Sequence, residues 1–519
     1  MLHYQFIKNA KKYARKTAYI DKNINKSFTY KKALAASLVL KNRFKKYNGD
    51  LIGVMLPNSF ISSVVFVSIL MCGKTPVVIN YTMKSEKNIS VAKEKCKFDV
   101  IITSRVLLEK IKCPEIKPMV FIEDVILDVK PSEKLKSFLT SLLPSAFIIK
   151  LCDYKNVLNG DGGENGKRKD DNKDAVILFT TGSEKEPKAV RLSHKNIISN
   201  INDLKFLFNL SEKDIMLSVL PIFHIFGLTT NTCLPFYIGM SSVIYANPLD
   251  FKTVVSIIKE NSPSIIATTP FFLTGYLRKS EKGDFQSLRY IVSGGDKCHE
   301  HIHTEFAEKH DKRIYEGYGT TETSPVISVN TVNNYRLGSV GKPLPAVKVK
   351  IVHHETGLTL KPCETGKIMV SGDTVMKGYF GDHDLTRKCM FDGFYDTGDM
   401  GYIDEDGFLW HAGRLKRFVK IASEMVSLEH VEYVLEKCFS ENIEFCVVGV
   451  ENGIKGVKLL AVTSGLVEES SICKKAKEYL PNLCIPKEFI VVGELPRLFN
   501  GKIDFKKVEE MIYSLVLRS

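Results

Sequence analysis

ILFTTGSEKEPKAVRLSH, residues 177–194, sets an apolar β-like run on either side of a hydroxyl- and glycine-rich loop closed by Lys188. From Thr180, Thr181, Gly182 and Ser183 to Lys188, this loop offers backbone N–H groups, small hydroxyls and one cation to a polyanion. It therefore reads as a triphosphate site, with ATP as the ligand. A Walker-type loop needs glycine directly before the lysine and Ser/Thr after it to hold magnesium, and those places hold Pro187 and Ala189. The P-loop NTPases are excluded.

Upstream, residues 27–104 alternate helical and strand patterns. Tyr30 to Phe44 is amphipathic, Asp50 to Met55 is an apolar strand, and Pro76 to Asn80 leads into another. The run from Phe60 to Cys72 is apolar but broken by serines, and it falls short of the ~20 residues that span a bilayer, so it reads as a buried helix. Downstream, Ser193 is placed to N-cap a helix through Phe208, aiming its N-terminus near the phosphates. Strand-like runs Ile215 to Leu220, Ser264 to Thr268, Tyr290 to Val292 and Arg313 to Tyr315 extend a second layer. The alternation predicts an α/β fold with a large N-terminal body of two doubly wound α/β layers. Residues 338–412 switch to short strands with Gly and Pro turns, a small β-subdomain. After Val431 come a helix, a hairpin around 451–456, a helix from Ser471 to Leu480 and a strand through Val492, a smaller α+β C-terminal domain. The expected domains are 1–413 and 414–519, with a charged, disordered insert at about 159–174.

Two more segments, LRYIVSGGD (288–296) and RIYEGYGTTETSP (313–325), each read as a short strand running into glycines. Parallel sheets bind nucleotides beyond the carboxyl ends of their strands, and glycine there admits close approach of a ligand. Gly295 and Asp296 lie in the first turn; in the second, Tyr318 has a face suited to a purine and Glu322 supplies a hard oxygen for Mg2+. Further on, Asp399 in YDTGD (395–399) is suited to both hydroxyls of a ribose, with Arg414 donating from the other side.

The net charge of +14 comes from dispersed basic residues with no aromatic-interleaved stripe, which argues against nucleic acid. Such a surface suits an acidic protein or loose peripheral attachment to anionic lipid. Twelve cysteines without a C-x-x-C pair suggest neither a disulfide framework nor zinc, and the start lacks the plan of a signal peptide. The cytoplasm is the expected compartment. His299, His301, His303 and His310 have mixed spacing on a charged helix and read as a solvated face.

In order along the chain, the phosphate loop, PIFHIFGL (221–228), GYGTTE (317–322), YDTGD (395–399), Gly413-Arg414 and LPRLFNGK (495–502) resemble the adenylate-forming enzymes, from about residue 10 to the end. These comprise acyl-CoA synthetases, peptide-synthetase adenylation domains and luciferases. More narrowly, VINYT (78–82), Ser183-Glu184, EGYG (316–319) and RFVKIASEMVSLE (417–429) resemble the synthetase half of the bacterial bifunctional 2-acylglycerophosphoethanolamine acyltransferase/acyl-[acyl-carrier-protein] synthetase. None of the twelve histidines has an aspartate five positions on, so the acyltransferase signature of those proteins is missing from this chain.

The resemblance implies activation of a long-chain fatty acid by ATP and Mg2+ and its transfer to acyl carrier protein, with CoA as the alternative acceptor. It implies that Thr180 to Ser183 and Lys188 hold phosphates, that Tyr318, Gly295 and Asp296 take adenine, and that Glu322 ligates magnesium. Asp399 and Arg414 take the ribose, His224 lies beside the acyl carboxylate, and Lys502 reaches the carboxylate and α-phosphate. It further implies a mobile C-terminal domain that pivots at Lys416, presenting Lys502 first and the loop near Ser423 second. The pattern departs from the family at Lys185, Ala189 and Ala422-Ser423, where glycine is usual. A competing reading is a non-catalytic nucleotide- or acyl-binding subunit supporting a separate lysophospholipid acyltransferase.

Overall fold

The computed structural model describes residues 1–82, 85–152, 169–180, 187–421, 424–438, 443–451, 457–497 and 503–516. The chain divides into two compact units, Met1–Lys348 with Ser371–Gly393, and Val349–Val370 with Phe394–Ser519.

Two sheets form the first unit. In the seven-stranded sheet, Asp174–Phe179, Thr75–Val78, Leu51–Val54, Ile101–Thr103 and Met119–Phe121 run parallel in that order. Ala189–Ser193 then adds antiparallel to Asp174–Phe179, and Gly378–Tyr379 antiparallel to Ala189–Ser193. The loop from 180 to 188 is thus a hairpin connection between antiparallel strands rather than a strand-to-helix crossover. In the nine-stranded sheet, Ile314–Gly319, Tyr290–Gly294, Ile265–Thr268, Ile215–Ser218, Ser241–Ile244 and Thr17–Asp21 are parallel neighbours, with antiparallel strands at both edges. This is the expected pair of α/β layers.

The parallel strands are nearly continuous apolar runs, which is what burial on both faces requires. Helix Phe60–Met71 is buried along its length, and the serines that interrupt it are used: Ser59 and Ser62 form a reciprocal capping box, and Ser68 Oγ donates to the Ser37 and Val64 carbonyls. Helix Tyr30–Phe44 matches its expected span. Among the described residues, no helix is long and apolar enough to cross a membrane.

In the second unit, Gly366–Gly372, Phe394–Ile403 and Leu409–Arg414 are antiparallel neighbours, and the hairpin Phe418–Ile421/Glu424–Ser427 follows. A three-stranded sheet, Phe445–Glu451, Val457–Thr463 and Glu488–Val491, packs with helices Leu428–Cys438 and Glu469–Ala476. By compactness, residues 349–370 and 394–412 therefore group with the C-terminal part.

Two expectations need correction. Residues 159–168 of the expected insert lie outside the described residues, but 169–174 are structured: Lys169–Asn172 is a 3-10 turn, and Asp174 opens a strand with its carboxylate paired to Arg191 at 2.9 Å and Lys377 at 2.9 Å. The histidines of helix Glu300–His310 are not all solvated either. His303 and His310 are buried with Ile302 and Phe306, and His310 Nε2 lies 2.9 Å from Ser280 Oγ. Charged neighbours masked a buried face that includes both rings.

Ser193 caps helix His194–Leu207 as expected: its Oγ accepts from Asn196 N at 3.1 Å, while Asn196 Oδ1 accepts from Ser193 N at 2.7 Å. Ser193→Ala should cost about 1 kcal/mol of stability, read as a lower urea midpoint with unchanged slope.

Candidate functional site

The neck of the loop at 180–188 is closed by its own chain. Thr180 N donates to Lys188 O at 3.0 Å, and Lys188 N donates to Thr180 Oγ1 at 3.3 Å. The Lys188 ammonium sits 5.6 Å from the ring centroid of Tyr379, a cation over an aromatic face. Tyr379 is set there by strand register, opposite Val190, and its hydroxyl donates to Glu322 Oε1 at 2.9 Å. Glu322 is only 7% exposed, so this hydrogen bond satisfies a carboxylate withdrawn from water. Lys188 and Glu322, far apart in sequence and from different sheets, are thereby joined through Tyr379, which sequence reasoning missed. A Gly-Tyr pair among turns gives no local sign of such a role.

Strand Ile314–Gly319 is buried at its start and half-buried from Gly317 on, so Tyr318 emerges at its carboxyl end. A Cβ on Gly319 would lie 1.8 Å from Pro325 O, so only glycine fits where the chain doubles back. The parallel register places Ser293 opposite Glu316 and Gly294 opposite Gly317, which brings Gly295 and Asp296 beside Tyr318. Buried Glu316, unassigned in the sequence reading beyond its motif, holds that turn: its Oε1 accepts from Cys298 N at 3.0 Å. Burial, with the Glu316 carboxylate adding to it, pushes the Cys298 thiol well up. Burial and then Glu322 push Cys389 up to about 11.

His224 and Phe226 are half-buried in an otherwise buried segment, Pro221–Leu228. A Cβ on Gly227 would fall 2.3 Å from Pro221 O, and one on Gly294 would meet the Phe226 ring at 3.5 Å, so this segment packs tightly beside the glycine turn. The His224 ring lies 4.7 Å from that of Phe223. A π-helical turn, Gly227–Cys233, follows, and Thr229 Oγ1 donates to Ser324 O at 3.1 Å, tying it to the Glu322 loop. The first unit thus gathers Thr180, Lys188, His224, Gly295, Asp296, Tyr318 and Glu322 around loops fastened to one another.

Asp399, Arg414 and Lys416 fall in the second unit. Asp399 and Arg414 are cross-strand partners, with Arg414 Nε 3.4 Å from the buried Asp399 Oδ1. His411, which the sequence did not flag, points to the same carboxylate at 4.0 Å. Burial opposes its protonation, but the hydrogen bond and charge of Asp399, helped by Glu429, outweigh that, and its pKa is raised. Glu429 also packs against Gly413, where φ is +111° and a Cβ would lie 2.7 Å from Glu429 Oε2. Lys416 sits in the 3-10 turn Leu415–Arg417, beside the buried Arg417–Glu432 ion pair. Thr181, Gly182, Ser183, Lys185, Ser423 and Lys502 lie outside the described residues.

Residues 6–380 match the family model described as AMP-binding enzyme. Among curated relatives, the chain is 30% identical over 339 residues to a long-chain-fatty-acid–CoA ligase of Bacillus subtilis, covering 63% of this chain and 60% of that protein. It is 25% identical to the enzyme of that name from Haemophilus influenzae over 96% of this chain and 92% of the relative. With the probable 4-coumarate–CoA ligase 2 of Dictyostelium discoideum it shares 30% identity over 80% of this chain and 76% of that protein. The match thus spans about 60% of the length of the first of these relatives. In fold it is similar to ATP-bound MatB from Rhodopseudomonas palustris, with TM-score 0.81 and 22% identity over 98% of this chain and 99% of the other. It is likewise similar to Bacillus subtilis MenE, O-succinylbenzoate coenzyme A synthetase, solved with ATP and magnesium, with TM-score 0.80 and 22% identity over 97% and 99%.

Tyr379→Phe leaves a buried carboxylate without its donor and should cost about 1 to 3 kcal/mol in urea unfolding; an unchanged midpoint would deny the link. In the second unit, a raised His411 pKa means that its contribution is fully present below pH 6.5 and is lost as pH rises through the folded value. The stability advantage of the native protein over His411→Gln should therefore shrink as the pH rises above 6.5.

Proposed function

Because this chain belongs to the AMP-binding enzyme family, we propose that it uses ATP to convert a fatty acid into an acyl-adenylate and then passes the acyl group to a phosphopantetheine thiol. The observation that carries this reading is the joining of Lys188 to Glu322 through Tyr379, beside the open carboxyl ends of parallel strands. A carboxylate is a poor electrophile. Attack of its oxygen on the α-phosphorus breaks the bond to the departing pyrophosphate and leaves a mixed anhydride, which a thiolate opens with release of AMP. The protein must hold two anions together and neutralise charge on the leaving group.

Lys188 and the hydroxyls from Thr180 to Ser183 supply donors and a cation to the phosphates. One Glu322 oxygen is engaged by Tyr379, and a single carboxylate together with phosphate oxygens suits magnesium, which neutralises pyrophosphate charge when bound. Tyr318 would stack on adenine beside Gly295 and Asp296, and Asp399 with Arg414 would take the ribose hydroxyls. His224 faces the acyl carboxylate. Lys502 serves the adenylation step, and the chain from 414 on pivots at Lys416.

The relatives' names support a long-chain fatty acid as substrate and CoA as acceptor. Acyl carrier protein is the second reading, favoured by the net charge of +14 and by the motifs around 316–319 and 417–429. Mass spectrometry of holo acyl carrier protein and of CoA, each incubated with the protein, Mg-ATP and mixed fatty acids, tests both. An acyl mass on one acceptor names it, and none on either overturns the ligase. Lys502→Ala should abolish adenylation yet still thioesterify a supplied acyl-adenylate; equal loss of both would deny its role.

A further inference from the structure

We propose that helices Pro131–Leu142 and Ser145–Cys152 form a docking face for an anionic lipid bilayer surface. Helix Pro131–Leu142 is packed the reverse of the ordinary way. Ser137 and Ser141 are its buried residues, while Leu135, Phe138, Leu139 and Leu142 are 41–60% exposed. Those four recur at i, i+3, i+4 and i+7, one continuous exposed stripe whose inner edge, Phe138, lies 4.7 Å under the Lys31 ammonium. Phe147 at 62% and Leu151 at 48% extend it on the next helix. An outward apolar stripe of this size marks an interaction surface.

The helices are fastened by polar pins and by buried Ile148, so the exposed apolar residues are not what holds them to the protein. Arg43 pairs with Glu133 and Asp128 at one end. Lys11 Nζ donates to the Ser141 and Leu142 carbonyls at 2.9 Å at the other, and Lys41 Nζ to Leu151 O at 2.9 Å. These cations meet the carbonyl ends of both helices, where the macrodipole favours them.

Charge selects the occupant. Residues 130–152 carry four lysines, Lys130, Lys134, Lys136 and Lys150, and one acid, Glu133, which is already paired with Arg43. Lys134 and Lys136 lie on opposite flanks of the stripe, placed to reach headgroups while the leucines enter the acyl boundary. A second copy of the chain would set like-charged rims against each other. The chain from 153 to 168, DYKNVLNGDGGENGKR, has too few apolar residues to cover the stripe. The lysine-flanked stripe is matched by a surface that is apolar within and negative outside.

Flotation of the full chain with phosphatidylglycerol/phosphatidylcholine vesicles, against phosphatidylcholine alone and at two salt concentrations, tests this. Salt-sensitive binding to the anionic vesicles is expected, and Leu135→Asp with Leu139→Asp should weaken it at least about tenfold. Because both leucines are exposed, the melting temperature of that variant should match the native protein's; Lys134→Gln with Lys136→Gln should remove the salt-sensitive part. Equal binding by native protein and the leucine variant overturns the proposal. So does absence of vesicle binding, whether or not sedimentation then shows a dimer that Leu139→Asp dissolves.

Discussion

The stretch from Asp373 to Phe380 fastens together three pieces of the first unit that have no local reason to meet. Asn196 Nδ2, in the capped first turn of helix His194–Leu207, donates to the carbonyls of Asp373 and Val375. Ser324 Oγ donates to Thr374 O, and Met376 N donates to Glu322 O, which pins the loop that carries the carboxylate. Gly378–Tyr379 then adds as a strand to Ala189–Ser193, and Phe380 N reaches Ala189 O, fixing the strand that closes the loop at 180–188. One extended segment satisfies backbone groups of a helix start, a turn and a strand edge, groups that would be costly to leave unpaired. The position of Tyr379 between Lys188 and Glu322 follows from this stitching.

The same economy governs the second unit. Asp399 and Arg414 face each other because two antiparallel strands fix their register, and His411 converges on the same carboxylate from the strand that carries Arg414. Glu429, at the start of helix Leu428–Cys438, packs where Gly413 lacks a side chain. A carboxylate held between an imidazole and a guanidinium is kept oriented, which is what an acceptor for neighbouring hydroxyls requires.

What could be read from the sequence was local. The Ser193 cap, the buried helix from Phe60 and the glycine-ended strands at 290–294 and 314–319 are each written in a few consecutive residues, and they appear where expected. Tyr379, Glu316 and His411 went unassigned because their importance depends on strand register between distant segments. The burial of His303 and His310 was legible in principle, since with Phe306 they recur at i, i+3 and i+7, but the charges between them drew the reading outward. The outward stripe at 131–142 is the opposite case. Its periodicity is plain in the sequence, and only packing tells that the leucines face away while the serines are buried.

Cys298 and Cys389, the thiols near Glu316 and Glu322, are both driven toward the protonated form by burial first and by those carboxylates second. The thiolate, not the thiol, is the nucleophile, so both side chains are held in their less reactive form. Under the proposed chemistry the protein handles a mixed anhydride that any stray sulfur anion would capture, and self-acylation would be a slow suicide. Two cysteines kept quiet by burial, and then by the acids beside them, compete less with the incoming acceptor.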